Sequence, residues 1–158
     1  MRLSLLVAIA DLIVAWHQPA GAHKNQEAIA AFKKANKLQG NSCAQCYFGT
    51  AIANFHEGDM SKTIDKADKA IQFASDDATR AAVHNLKGNA FSNLSEQGNS
   101  KLANAESEYR TATQLRRDFA QYHMNLALVL LRGSKRLRSS SKPASPRSPM
   151  TPSHGRPG

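Results

Sequence analysis

Cys43 and Cys46 form the one pair whose spacing suggests chemistry, a Cys-x-x-Cys motif in a chain of 158 residues without further cysteine. Such a pair can be a redox couple, half of a zinc site or a haem attachment. Tyr47 follows, where haem attachment needs histidine, and no second Cys-x-x-Cys or His-x3-His supplies further zinc ligands. A local disulfide or two reduced buried thiols remain, and a thiol–disulfide redox accessory remains the alternative function.

The six histidines are scattered along the chain and do not form a recognisable catalytic or metal-binding set. No Ser/His/Asp order, glycine-rich phosphate loop or paired-carboxylate arrangement stands out. We therefore expect no enzyme activity, no catalytic residue, no metal, no cofactor and no small-molecule substrate.

The C-terminal segment 134–158 differs in composition from the rest of the chain. It holds no acidic residue and six of the 21 Lys and Arg residues, and Leu137 is its only Leu, Ile, Val or aromatic residue. Such a segment buries too little apolar surface to offset the entropy of ordering it, which predicts a disordered basic, Ser/Pro-rich tail. The tail could bind nucleic acid or an anionic membrane through phosphate contacts, or could simply be solvated.

Residues 1–22 have the order of a secretory signal peptide. Arg2 precedes the apolar stretch 3–16, and Ala20-Gly21-Ala22 supplies a small-x-small cleavage site. Asp11 is unfavourable within that stretch, and the alternative is an amphipathic N-terminal helix of a cytoplasmic protein. We expect export to a periplasm or out of the cell, where the cysteine pair would be oxidised to a disulfide.

The elements that must position these residues follow a repeated pattern, Ala-x3-Phe/Tyr-x2-Ala-x2-Leu/Phe. Its first positions are residues 28, 63 and 105, and the second copy has Thr63 in place of the first alanine and Ala67 in place of the aromatic residue. These first positions are 35 and 42 residues apart, and self-similarity at such a spacing indicates stacked supersecondary units. Helical spacing of apolar residues predicts an all-α chain with helices at 26–38, 42–57, 60–74, 78–94, 101–115 and 119–131.

The pattern resembles the tetratricopeptide repeat (TPR) family over residues 25–133. The family's unit is a pair of antiparallel helices A and B, and the small residue of helix A falls here on Ala51, Gly88 and Ala127. Gly58-Asp59 matches the turn between the helices. The resemblance implies a right-handed α-solenoid of an exported bacterial-type TPR protein, in which Phe32, Ala67, Ala105 and Tyr109 are packing residues and His84 and His123 take aromatic positions.

The predicted helix 119–131 is a helix A without its helix B. We expect that the array is truncated there relative to longer relatives; alternatively the tail folds back, or two molecules cover each other. Self-association at this uncapped helix is therefore a further expectation.

The resemblance also implies that the helices A line a concave groove that binds a protein or peptide. The amide-rich middle of this surface suits an extended peptide backbone, although the asparagines could equally be a solvated stripe. The groove lacks the cluster of lysines and arginines with which family members hold a C-terminal carboxylate. We expect a non-catalytic interaction module whose groove residues are Gln45, Phe48, Ile52, Phe55, Asn85, Asn89, Ser92, Asn93, Gln121, Met124, Leu128 and Arg132.

Overall fold

The structure is a computed structural model and describes residues 22–95 and 99–140. Six helices follow one another in these ranges, and no strand occurs in them, which confirms the all-α prediction. Residues 1–21 of the predicted signal peptide and 141–158 of the predicted tail lie outside the described residues. The helices are α1 (Ala22–Leu38), α2 (Ala44–His56), α3 (Met60–Phe73), α4 (Asp77–Leu94), α5 (Asn99–Leu115) and α6 (Ala120–Ser140).

Short turns with specific caps separate the helices. Gly58 has φ 80°, a conformation that glycine adopts without steric cost, and it ends α2. The Asp59 carboxylate then accepts a hydrogen bond from the Lys62 backbone N–H at 3.0 Å and caps α3. Asp76 caps α4 in the same way, through the backbone N–H of Thr79 at 2.7 Å. Both caps lie where the sequence predicted helix starts.

The last helix is longer than predicted, because α6 continues through residues 134–140 of the segment expected to be a tail. This segment has no proline, and its Lys, Arg and Leu residues are good helix formers. The Arg136 guanidinium donates to the Ser95 carbonyl at 3.0 Å, which ties the extension to the end of α4. The predicted end at Leu131 was therefore wrong.

Each helix packs mainly on the next one along the chain, and α2 also meets α4. Small residues fill the centre: Ala51, Ala67 and Ala70 are fully buried and contact Val83 and Leu86. The two signature alanines of α5, Ala105 and Ala112, and its one signature ring, Tyr109, are buried as well, which confirms that they pack in the core. Among the residues of the repeated signature, Leu38 is the exposed one: it is 66% exposed and lies at the end of α1, before the turn.

None of the described helices is both long enough and apolar enough to cross a lipid bilayer.

Candidate functional site

The α2 part of the predicted groove belongs to the core to a large extent. Phe48, Ile52 and Phe55 are half-buried and pack against the cluster around Ala51, whereas Gln45 is exposed. Much of the surface that these three apolar side chains would offer to a peptide is therefore already used in holding α2, α3 and α4 together.

The α4 and α6 parts of the predicted groove lie side by side and are joined by hydrogen bonds. Asn125 Nδ2 donates to Asn85 Oδ1 at 2.8 Å, and Arg132 donates to Ser92 Oγ at 3.0 Å. Both pairs are 40 residues apart, so the two helices meet in one constant register. Gln121, another predicted groove residue, donates to Asn125 Oδ1 at 3.0 Å.

Asn125 was not among the predicted residues. Its signal in the sequence was its position two residues before Ala127, the small helix A residue.

Asn89 serves the fold through Tyr109. The Tyr109 hydroxyl donates to Asn89 Oδ1 at 2.7 Å, and its ring lies against Gly88. Burial raises the pKa of Tyr109 to about 12, although a hydrogen bond with Ser92 and the charge of Arg132 act in the opposite direction. The predicted alternatives for the asparagines were a peptide contact or a solvated stripe, and Asn89 instead positions a buried tyrosine.

Asn93, in contrast, is exposed, and its Nδ2 lies 3.8 Å from Met60 Sδ.

The side of α6 that faces away from the core is apolar. Met124 and Leu128 are each 57% exposed and Leu131 is 59% exposed, and their spacing places them on one face of the helix. We call these three residues the α6 stripe. Tyr122 and Val129 are buried on the opposite side. Ala127, the predicted small helix A residue, lies among the stripe residues and is exposed too.

The cysteine pair forms the expected disulfide between Cys43 and Cys46 at the start of α2. The residues are only 4% and 1% exposed and pack against Ala28 and Phe32. Thiol–disulfide exchange requires that an attacking thiolate reach one of the sulfurs. The burial of both cysteines therefore weighs against the redox alternative.

A charged cluster links α3, α4 and α5. Lys87 Nζ lies 2.7 Å from an Asp68 oxygen and 2.9 Å from Glu108 Oε1, and His84 Nδ1 lies 2.7 Å from Glu108 Oε2. Burial acts to raise the pKa of Glu108, but the hydrogen bonds from His84 and Lys87 outweigh it and lower that pKa. Burial likewise acts to lower the pKa of Lys87, yet its two carboxylate partners raise it.

The structure does not bring His84 and His123 together. His84 is half-buried in the charged cluster, whereas His123 is exposed and contacts the Arg117 carbonyl through Nε2 at 2.9 Å. His123 therefore does not pack as its aromatic position in the family implied, because its side chain is exposed. In residues 22–95 and 99–140, no three His, Cys, Asp or Glu side chains are grouped in a way that could hold a metal ion.

No protein-family model matches the chain, and no curated protein matches it. The function of the chain is therefore inferred from its own residues.

Proposed function

We propose that the chain is a non-catalytic protein-interaction module built as a right-handed α-solenoid of TPR-like helix pairs. In this proposal α2–α3 and α4–α5 are complete pairs, α1 is a helix B and α6 is a helix A. Packing between consecutive helices and the 40-residue register between α4 and α6 support it. So does the placement of two signature rings, Phe32 and Tyr109, against a glycine of α2 and α4 respectively.

The α6 stripe is the observation on which the binding role depends. A helix that is apolar on both sides is normally covered on both sides, and contiguous exposed apolar side chains mark interaction surfaces. Next to the stripe is a polar group of the predicted groove, Arg132, which donates a hydrogen bond to Ser92 of α4. Together they form a surface that offers apolar contacts and hydrogen-bonding groups to one partner.

The charge of α6 indicates the chemistry of that partner. The helix contains no Asp or Glu, and Arg132, Lys135 and Arg138 follow the stripe. Opposite charges across an interface give specificity and faster association. The partner that fits is a segment of another protein with apolar side chains one helical turn apart and acidic residues beside them.

A segment of another protein suits this surface better than a second copy of the chain does. A stable interface between two folded proteins buries roughly 800 Å² on each partner. The stripe is three side chains on one helix, and a narrow segment can cover it without further contacts.

The buried disulfide is typical of an oxidising compartment and supports the export predicted from residues 1–22.

The test is site-specific photo-crosslinking with the full chain, with the photoreactive residue at position 124 in the stripe or at position 38 as the control. Leu38 is as exposed as the stripe residues but lies on α1. We expect position 124 to crosslink to an apolar–acidic segment of one partner, and position 38 not to do so. The double variant Leu128→Gln with Leu131→Gln should lower the amount of partner protein captured by the chain at least about tenfold. The control variant Leu38→Gln should leave that amount unchanged.

Three outcomes would overturn this assignment. The first is equal capture by all variants, and the second is crosslinking from position 38 but not from position 124. The third is a concentration-dependent dimer in sedimentation velocity that the stripe substitutions abolish, which would assign the stripe to a second copy of the chain.

A further inference from the structure

A cleft of about 360 Å³ lies between α1, α2 and α3, on helices other than those that carry the α6 stripe. Its volume falls within the range of small-ligand sites. The residues that matter for its chemistry are Lys33, Lys37, Lys66, Asn36, Asn41 and Tyr47.

Three positive charges meet in this cleft without a counter-charge. Lys33 and Lys37 are one turn apart on α1, and Lys66 reaches the cleft from α3. No Asp or Glu lines the cleft, and in the described part of the chain none of the three lysines forms an ion pair. Like charges at this spacing on a helix are destabilising, so an anion between the lysines would stabilise the arrangement.

The other polar groups of the cleft add donors and hold its wall in place. Asn36 is 8% exposed, and its Oδ1 accepts a hydrogen bond from the Cys43 backbone N–H at 3.1 Å, so its amide nitrogen is left to donate. The Tyr47 hydroxyl donates to the Asn41 carbonyl at 3.1 Å and fixes the turn between α1 and α2. The Tyr47 ring stacks on Phe73 with centroids 5.8 Å apart.

We propose that this cleft binds a small ligand with two or more negative charges on phosphate or carboxylate groups. The ammonium groups of the three lysines contact the charged oxygens, and the Asn36 amide donates to one of them. The site is separate from the α6 stripe, so the cleft and the protein-binding surface can be occupied at the same time.

Calorimetric titration of the full chain with inorganic pyrophosphate and with citrate, in low-salt buffer, tests the proposal. We expect saturable binding of at least one anion at one site, and the anion that binds identifies phosphate or carboxylate as the recognised group. Lys33→Gln with Lys66→Gln should weaken binding at least about tenfold, because each removes a charge-assisted contact.

The matched control is Lys34→Gln with Lys69→Gln, which removes the same charge from α1 and α3 at exposed lysines that do not line the cleft. Its affinity should stay within about twofold of the unmodified chain, and circular dichroism should show that both double variants are folded. If the two double variants lost the same amount of affinity for the anion, binding would be assigned to net charge alone. That result, or no saturable binding of either anion, would overturn the proposal.

Discussion

Gly88 of α4 lies so close to the Tyr109 ring of α5 that a Cβ at position 88 would be 2.7 Å from the ring atoms Cδ1 and Cε1. The same relationship recurs between α2 and α1, where a Cβ at Gly49 would overlap the Phe32 ring. Phe32 and Tyr109 occupy the same position of the repeated signature. A missing side chain on the facing helix therefore makes room for each signature aromatic.

Gly88→Ala should lower the free energy of unfolding by about 1–3 kcal/mol, because the added methyl group overpacks the contact with Tyr109. This loss is expected even though alanine is favoured over glycine in a helix by about 1 kcal/mol. Urea unfolding followed by circular dichroism measures it. Gly133→Ala on α6 is the control: its nearest atom would be Leu102 Cδ2 at 3.9 Å, so stability should not fall. A Gly88→Ala variant as stable as this control would contradict the packing described.

Glu108→Gln should lower the free energy of unfolding at neutral pH by about 2 kcal/mol, because it weakens charge-assisted hydrogen bonds with His84 and Lys87. The folded pKa of Glu108 is lowered from 4.5, so its contribution is present above that pH and is lost as pH falls through the folded pKa. The difference in the free energy of unfolding between the unmodified chain and the Glu108→Gln variant should therefore become smaller below about pH 4.5.

Glu106→Gln on the same helix is the control for the charged cluster. Glu106 pairs with Arg110 at 2.7 Å, but the Arg110 side chain is 56% exposed, so the loss should stay within about 0.5 kcal/mol. Denaturant unfolding at several pH values compares the three proteins. If Glu108→Gln cost no more than Glu106→Gln at neutral pH, or if its difference from the unmodified chain were independent of pH, the cluster would not be stabilising in this way.

Cys43→Ser with Cys46→Ser should lower the free energy of unfolding by about 2 kcal/mol, because the disulfide closes only a very short loop. Serine at position 43 can still cap α2, whose cap is now the sulfur that accepts from the Cys46 backbone N–H at 3.1 Å. Thiol titration should find no reactive thiol in the native chain and two after unfolding with a reductant. Partner capture should persist in the variant; its loss without unfolding would favour the redox alternative.

The sequence predicted the parts of this fold that depend on neighbouring residues. Helix α3 was expected at 60–74 and spans Met60–Phe73, because helical periodicity and the Gly58-Asp59 turn are both local signals. The end of α6 was missed, since it depends partly on the contact between Arg136 and the distant Ser95 carbonyl. The contact between Gly49 and the Phe32 ring was not predicted, because the residues next to Gly49 in the sequence do not indicate which side chain packs against it.

The candidate site was harder to predict, because side chains far apart in the sequence determine what is accessible. Asn85 and Ser92 were predicted to line the groove, and the structure places both against α6. The sequence could not show that Asn125 and Arg132 would occupy their hydrogen-bonding groups, as each pair is 40 residues apart. Met124 and Leu128, two of the residues predicted to line the groove, are exposed in the α6 stripe.

Asn89 and Asn93 separate structural asparagines from accessible ones on the same helix. Asn89→Ala should lower the free energy of unfolding by about 1–3 kcal/mol, because it removes the acceptor of the buried Tyr109 hydroxyl. Asn93→Ala, at an exposed side chain, should change it by no more than about 0.5 kcal/mol. Urea unfolding of both variants measures the difference. If Asn89→Ala lowered partner capture while leaving stability unchanged, Asn89 would be a contact residue of the groove, and its role as the support of Tyr109 would be refuted.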